Sequence, residues 1–193
     1  DLKGLYILVT AETGLSGDID QRLVQTALQS YDAQHHDVVV VGKRGELLLG
    51  QRGVKPLAYF PMPKKDNFDL APLAEYVKKY RNTTVFYQSY ELLTSQVVKT
   101  IDIAAIVDAK QTLENPNELI DEASYIFEPS VHDVVAYFET SIIYLTLMDV
   151  LIDSRLAQDA SRFRAMSDAN DSAKDKADSL RTQYYRAKRS VAD

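Results

Sequence analysis

The residues best placed to do chemistry lie in the segment Thr10–Gly17, a glycine-containing turn that directly follows the apolar run Leu5–Val9. In doubly wound α/β folds, phosphates bind at this position, against the N-terminus of the helix that follows the first strand. The segment carries Gly-x-x-Gly, and not the G-x-G-x-x-G of dinucleotide sites or the Lys-Ser/Thr of a P-loop. Asp18 and Asp20 would repel a phosphate and are better interpreted as capping or helix-dipole residues. We therefore favour a structural turn over a nucleotide site here.

The other chemically active side chains do not fall into the pattern of a catalytic, cofactor or metal site. His35 and His36 are adjacent, so they cannot be ligands at i and i+4 of one helix, and His132 has no matching partner in the sequence. The absence of cysteine excludes thiolate catalysis and zinc–thiolate sites. Asp168 and Asp171 lie one helical turn apart, where a carboxylate pair is usually solvated. The sequence predicts a chain that is not an enzyme and needs no cofactor.

Charge and hydropathy exclude two further classes of protein. A net charge of −6 argues against a nucleic-acid surface, which needs a local excess of Lys and Arg. The short cluster Arg186, Lys188 and Arg189 is interpreted first as cations that complement a helix C-terminus or lie on a solvated face. The longest strongly apolar stretch, Ile142–Ile152, is too short to span a bilayer, so no direct membrane insertion is predicted.

In the first two thirds of the chain, short apolar runs alternate with helical patterns. Alternation of this kind predicts an α/β fold: a Rossmann-like sheet of about five strands, parallel in its first half, with flanking helices. The predicted strands are Leu5–Val9, Asp37–Val41, Leu57–Phe60, Thr83–Gln88, Val97–Ile103 and Tyr125–Phe127, and the predicted helices are Ile19–Leu28, Arg44–Gln51 and Leu70–Tyr80.

The last third predicts one long helix, because residues 130–193 contain neither glycine nor proline. Ser130 is the expected N-cap, and the helix is expected to pack on the sheet through Val134, Phe138 and Leu145. Apolar residues then recur with the spacing of a coiled-coil seam, at Ala173, Ala177, Leu180, Tyr184, Ala187 and Val191. This seam needs a partner helix. We expect an α/β domain at residues 1–128 and a long C-terminal coiled-coil helix at residues 129–193.

Four blocks of residues stand in a fixed order along nearly the whole chain. They are Leu8–Gly17, Val41–Gly45, Tyr125–Ser130 and Ser154–Ala173, the last continued by Tyr184–Arg189. In this order they resemble the Ile-Thr-Ser-Asp-Arg-Gly-Leu-Cys-Gly, Ile-Gly-x-Lys-Gly, Tyr-x-Tyr-Glu-Pro-Ser and Ser-x-Ala-Ser-Glu-x-Ala-Ala-Arg-Met runs of the gamma subunit of F-type ATP synthases. The chain departs from the family at Glu12-Thr13, which replaces Asp-Arg, at Asp18 and Asp20, where a small residue and Asn are usual, and at Lys188-Arg189, which replaces Arg-Gln.

The resemblance implies a mechanical role. The family forms the central stalk, or rotor, of a proton- or sodium-driven ATP synthase and couples rotation of the membrane ring to ATP synthesis in the catalytic subunits. It implies that this chain is a fragment without the N-terminal coiled-coil helix and the C-terminal tip. The implied partners are the epsilon subunit, the membrane-ring subunits, the alpha and beta catalytic subunits and the N-terminal helix of its own full-length chain. The implied place is a peripheral complex on the cytoplasmic face of the bacterial plasma membrane, or on the equivalent organelle membrane.

Carried over by position, the resemblance also implies two sets of interface residues. Tyr125 and Glu128 would contact the epsilon subunit and the membrane ring, and Arg162, Lys188 and Arg189 would face the catalytic beta subunits. Two alternatives stay open from the residues themselves. One is an α/β nucleotide-binding domain with a helical oligomerisation tail, and the other is a scaffold that dimerises through its own heptads.

Overall fold

Five strands form one mixed sheet in the computed structural model, which describes residues 3–63, 69–93, 95–107 and 131–192. The strands are β1 (Gly4–Val9), β2 (His36–Val41), β3 (Ala58–Phe60), β4 (Thr83–Leu92) and β5 (Ser95–Asp102). Their order is β3-β2-β1-β4-β5. The first four strands are parallel, and β5 runs antiparallel to β4 as the second arm of a hairpin. The predicted α/β sheet of about five strands is confirmed.

Helices cover both faces of this sheet because alternate side chains of the central strands are buried on opposite sides. Tyr6 and Leu8 of β1 pack towards α1 (Ile19–Gln29) and α2 (Lys43–Gly50). Leu5, Ile7 and Val9 pack towards α3 (Ala71–Lys79) and the long helix α4 (Val131–Ala192). The valines of β2 divide in the same way. A strand that is buried on both faces reads as a continuous apolar run, which is how β1 and β2 read in the sequence.

The long helix reaches the sheet through a different face from the one that we predicted. The side chains that join the core are Ile143, Leu147, Val150 and Leu151, all less than a tenth exposed. Phe138 and Leu145 are 50% and 60% exposed, and Val134 is only half-buried, so the predicted packing face was wrong. The helix carries two apolar stripes with heptad spacing, and the sheet covers the one that includes Ile143, Leu147 and Val150.

Beyond its contact with the sheet, the helix continues alone. Ala165 is the last half-buried residue, and every residue from Met166 to Ser190 is exposed. At about 1.5 Å per residue, the exposed part is about 40 Å long. The prediction of a long helix that projects from the domain is therefore confirmed. The predicted strand Tyr125–Phe127 and the predicted cap Ser130 lie outside the described residues.

Candidate functional site

An exposed apolar stripe runs along most of α4. Large side chains at two heptad positions are left open to solvent: Val135, Phe138, Leu145, Ile152, Leu156, Phe163, Met166, Leu180 and Tyr184. Within the described part of the helix, Tyr137 and Tyr185 are the only large exposed apolar residues that do not fall on these positions. The seam that the sequence predicted from Ala173 onwards thus begins about ten turns earlier, at Val135. We call this set of side chains the heptad stripe.

The spacing of the heptad stripe fits a second helix. Residues that alternate at intervals of three and four lie along one side of a helix and insert between the side chains of a partner. Polar residues at Asp149, Asp159 and Asn170 interrupt the stripe, and polar residues at such positions help to fix the register between two helices. The stripe is therefore a binding surface for a helix, and it faces away from the sheet.

The same apolar residues explain a feature that resembles a membrane span. By length and composition alone, α4 is long and apolar enough to cross a bilayer, with an 18-residue window of mean hydropathy 1.6 of which 22% is buried. In this structure the apolar side chains of α4 are divided between the sheet-facing stripe and the heptad stripe. A helix with two apolar faces that bind protein can have the same mean hydropathy as a membrane-spanning helix.

The helix leaves the domain at a polar junction with the β1–α1 loop (residues 10–18). The Ser161 hydroxyl donates a hydrogen bond of 2.5 Å to the backbone oxygen of Ser16. The Arg162 guanidinium donates to the Thr13 hydroxyl at 3.1 Å and pairs with Asp159 at 2.9 Å. These contacts stand one turn before the helix becomes fully exposed, so this loop is the last part of the domain that α4 touches.

A buried carboxylate holds the β1–α1 loop in place. Asp20, in the first turn of α1, is 2% exposed and accepts hydrogen bonds from the backbone N–H of Ala11, the hydroxyl of Ser16 and the side-chain amide of Gln88. Our interpretation of Asp20 as a helix-dipole residue therefore described only part of its role. Asp18 stands at the N-cap position without a side-chain capping bond and pairs with Arg22 at 3.3 Å.

A second carboxylate joins the ends of three parallel strands. Glu12, after β1, accepts hydrogen bonds from the Tyr59 hydroxyl at 2.7 Å, from the Met62 N–H at 2.9 Å and from the Lys43 N–H at 3.3 Å. Burial raises the pKa of the Glu12 carboxyl, but these hydrogen bonds outweigh burial and hold the pKa below its usual range. Burial and the bond to Glu12 raise the pKa of Tyr59 to about 12. Glu12 is therefore a structural anion.

These side chains occupy the backbone donors to which a phosphate would bind. Lys43 N–H points to Glu12, Gly45 N–H donates to the Thr10 hydroxyl at 2.8 Å, and Ala11 N–H donates to Asp20. The approach is close: a Cβ on Gly42, whose φ is +90°, would lie 2.1 Å from the Thr10 backbone oxygen. The turn is a structural junction between strands, as the sequence favoured.

The structure does not bring the predicted interface residues together. Arg162 lies at the junction with the β1–α1 loop, whereas Lys188 and Arg189 lie about 40 Å further along the exposed helix at about 1.5 Å per residue. Tyr125 and Glu128 lie outside the described residues. The roles of all five in binding other subunits stay predictions. No group of metal-ligating side chains occurs within residues 3–63, 69–93, 95–107 and 131–192.

Sequence reasoning missed the residues that build the junction. Ser161 stands where the resembling family has Ala, and Gln88 lies in the interior of a strand, so neither carried a recognisable signal. Glu12 was noticed only as a departure from the family pattern, and Asp20 as such a departure and as a capping or helix-dipole residue. The sequence signal that could have revealed the junction was a departure from the family pattern that places a carboxylate beside a buried turn.

Comparison with known proteins agrees with this architecture. A sequence model that describes ATP synthase matches residues 2–191. The ATP synthase gamma chain of Cytophaga hutchinsonii is 26% identical over 203 residues, covering 97% of this chain and 68% of that protein. The gamma chain of Chloroherpeton thalassium is 27% identical over 212 residues, with coverage of 97% and 68%.

Solved structures show the same fold. The rotor of the Euglena gracilis mitochondrial ATP synthase superposes with a TM-score of 0.76 at 15% identity, covering all of this chain and 75% of that one. The central stalk and c-ring structure of the Tetrahymena thermophila mitochondrial ATP synthase gives a TM-score of 0.69 at 20% identity, with coverage of 87% and 76%. With the sequence match over residues 2–191, these findings show that the chain belongs to the ATP synthase family, in which its relatives are gamma chains.

Proposed function

We propose that this chain works as part of the central stalk of a proton- or sodium-driven rotary ATP synthase, coupling rotation of the membrane ring to ATP synthesis in the catalytic subunits. The observation that carries the proposal is the heptad stripe on a helix of 62 residues whose first half is fixed to an α/β sheet. A stiff helix that is attached at one end and open to a partner along its length is suited to transmit rotation. The chain itself acts mechanically and catalyses no reaction.

The proposed occupant of the heptad stripe is the N-terminal helix of the full-length chain. The stripe extends from Val135 to Tyr184, so the proposed partner is a helix of similar length. The remaining proposed partners are the epsilon subunit, the membrane ring and the alpha and beta subunits. The complex would sit peripherally on the cytoplasmic face of a bacterial plasma membrane, or on the equivalent organelle membrane. In this proposal residues 1–128 form the body of the stalk and residues 129–193 its shaft.

The nucleotide-binding alternative gains no support from the geometry of the turn. Asp20, Glu12 and Thr10 already accept the hydrogen bonds that a bound phosphate would need. The alternative in which two copies pair through their heptads uses the same stripe as the proposed N-terminal helix. A substitution on the heptad stripe separates pairing of two copies from pairing with the N-terminal helix.

A charge placed on the heptad stripe tests the proposed function. In the full-length chain, Leu156→Asp should prevent pairing with the N-terminal helix, because a carboxylate would be buried at a seam position. We expect loss of assembled complex and of ATP-driven ion pumping in membrane vesicles. Arg164→Asp, on the same stretch of helix but off the stripe, is the control and should assemble normally. Normal assembly and pumping with Leu156→Asp would contradict the proposal. A stable homodimer of the full-length chain that Leu156→Asp abolishes would instead support the dimeric scaffold.

The proposed contact of Tyr125 and Glu128 with the epsilon subunit has its own test. Tyr125→Ala and Glu128→Lys should each weaken binding of the epsilon subunit, measured by titration calorimetry with the purified partners. Unchanged affinity in both variants would remove these two residues from the proposed interface.

A further inference from the structure

We infer that Ser161 and Arg162 are positioning residues that clamp the long helix to the β1–α1 loop, so that the domain and the helix turn as one body. The inference rests on the proposed function, since it states where rotation passes from the domain into the shaft. We call the two contacts, Ser161 to Ser16 and Arg162 to Thr13, the clamp. It assigns Arg162 an intramolecular role in place of the contact with catalytic subunits that the sequence implied.

The clamp stands at the level where the helix leaves the domain. Apolar packing against the sheet is carried by Ile143, Leu147, Val150 and Leu151, about three to five turns below, and burial continues through Ala157 and Ala160 up to the clamp. Such packing is not directional, whereas hydrogen bonds with defined donors and acceptors fix an orientation. Above Ala165, every residue as far as Ser190 is exposed.

The loop on the other side of the clamp is itself fixed. The carboxylate of Asp20, in α1, joins Ala11 and Ser16 of the loop to Gln88, and thus ties the loop to α1 and β4. The Ser16 residue that binds Asp20 through its hydroxyl is the residue whose backbone oxygen accepts from Ser161. Force on the helix is therefore passed through Ser16 to a buried group and not to a loose segment.

A reversible cross-link tests the clamp, because the chain contains no cysteine that could interfere. A Cβ added at Gly17 would lie 3.4 Å from the Ser161 hydroxyl oxygen, close to the spacing needed for a disulfide. The double variant Gly17→Cys with Ser161→Cys, in the assembled complex with the full-length chain, should form this disulfide on mild oxidation. We expect ATP-driven ion pumping in the oxidised complex to remain within about twofold of that in the reduced complex, because the disulfide holds closed a contact that does not open during rotation.

Each outcome of the cross-link is informative. Failure to form the disulfide, or pumping that stops on oxidation and returns on reduction, would overturn the clamp, because either result means that the helix and the loop separate. The reduced complex reports on the proposed function, and the difference between oxidised and reduced complexes reports on the clamp.

A second measurement does not depend on the strained backbone at Gly17, whose φ is +66°. Spin labels at exposed Arg52 and Asp178 report the distance between the domain and the free helix in the assembled complex. Ser161→Ala combined with Thr13→Val should broaden this distance distribution, while Arg164→Gln, two residues beyond the clamp, should leave it unchanged. An unchanged width in the combined variant would overturn the inference.

Discussion

The carboxylate of Asp20 is buried and accepts hydrogen bonds from three donors that carry no charge. Gln88 contributes one of these donors, and its own side-chain oxygen is buried without a hydrogen-bond partner among the described residues. A buried donor that loses its acceptor costs about 1–3 kcal/mol. The stability of the β1–α1 loop therefore depends on this one side chain.

Two substitutions at Asp20 should have different costs. Asp20→Ala leaves three donors unsatisfied and should lower the free energy of unfolding by about 2 kcal/mol or more. Asp20→Asn should cost less than about 1 kcal/mol, because the Asn oxygen can still accept from Ala11 and Gln88 at the Oδ1 position, while its NH2 donates to the hydroxyl oxygen of Ser16. Urea denaturation measures both, and equal costs for the two variants would contradict this account of the Asp20 contacts.

Asp37, at the opposite end of the sheet, gives a prediction about pH. The Tyr80 hydroxyl donates to its carboxylate at 2.8 Å and Lys3 lies at 3.0 Å, and both hold the pKa of Asp37 below its usual 3.8. A carboxyl with a lowered pKa in the folded state adds stability above its usual pKa and loses it as pH falls through the folded value. Burial and the bond to Asp37 raise the pKa of Tyr80 to about 12, so Tyr80 remains a donor at neutral pH.

Tyr80→Phe should therefore destabilise the protein at neutral pH and have little effect in acid. The difference in free energy of unfolding between the wild type and the variant should begin to shrink as pH falls below about 4, where the unfolded carboxyl takes up a proton, and should be lost as pH falls through the lowered pKa of folded Asp37. Tyr76→Phe, one turn earlier in α3, is the matched control. A difference for Tyr80→Phe that stays constant between neutral pH and pH 3 would show that the bond to the carboxylate is not its cause.

At the scale of the elements, the two stripes of α4 should respond differently to the same truncation. Leu147 is 1% exposed in the core and Leu145 is 60% exposed on the heptad stripe. Leu147→Ala should lower the free energy of unfolding of this 193-residue chain by about 2–5 kcal/mol, and Leu145→Ala by less than about 0.5 kcal/mol. Urea denaturation checks both values. A larger cost for Leu145→Ala would restore the packing face that the sequence had predicted.

The same comparison shows which parts of the fold the sequence could reveal. β1 and β2 were predictable because burial on both faces produces unbroken apolar runs, and α4 because nothing interrupts it. Its packing face was not predictable, since the buried stripe and the exposed heptad stripe both recur at intervals of three and four. Local patterns reveal that a helix has apolar faces, and only the tertiary structure assigns each face to a neighbour.

The junction was hidden from the sequence for a related reason. Gln88 lies 68 residues from Asp20, and Ser161 lies 145 residues from Ser16. A pairing at this separation leaves no periodic signal, and each of these residue types is common on a protein surface. The general architecture of the stalk could therefore be predicted, but not the contacts that join its two parts.

At the scale of the whole molecule, charge changes sign along the exposed part of α4. Asp168, Asp171, Asp175 and Asp178 precede a stretch that contains only cations, Arg181, Arg186, Lys188 and Arg189. If Lys188 and Arg189 face the catalytic subunits, as the resemblance implies, salt must weaken their electrostatic attraction to those subunits. If both residues instead lie on a solvated face, reversal of their charges should not change ion pumping by the assembled enzyme.

Reversal of these charges distinguishes the two interpretations. Lys188→Glu with Arg189→Glu, in the full-length chain, should leave assembly intact but lower ATP-driven ion pumping several-fold, with a greater loss at low ionic strength. Lys174→Glu, in the acidic stretch beside Asp171, is the control. Pumping rates equal to the wild type at every salt concentration would assign Lys188 and Arg189 to a solvated face.

The abrupt end of burial at Ala165 has a geometric consequence. The exposed segment is a lever about 40 Å long with its pivot at the surface of the domain. A tilt of about 10° at this pivot would move the far end by about 7 Å, more than one full turn of helix. An error of a few tenths of an ångström at the pivot is thus magnified many times at the tip, and the accuracy with which the tip meets its surroundings is determined by side chains that never approach it.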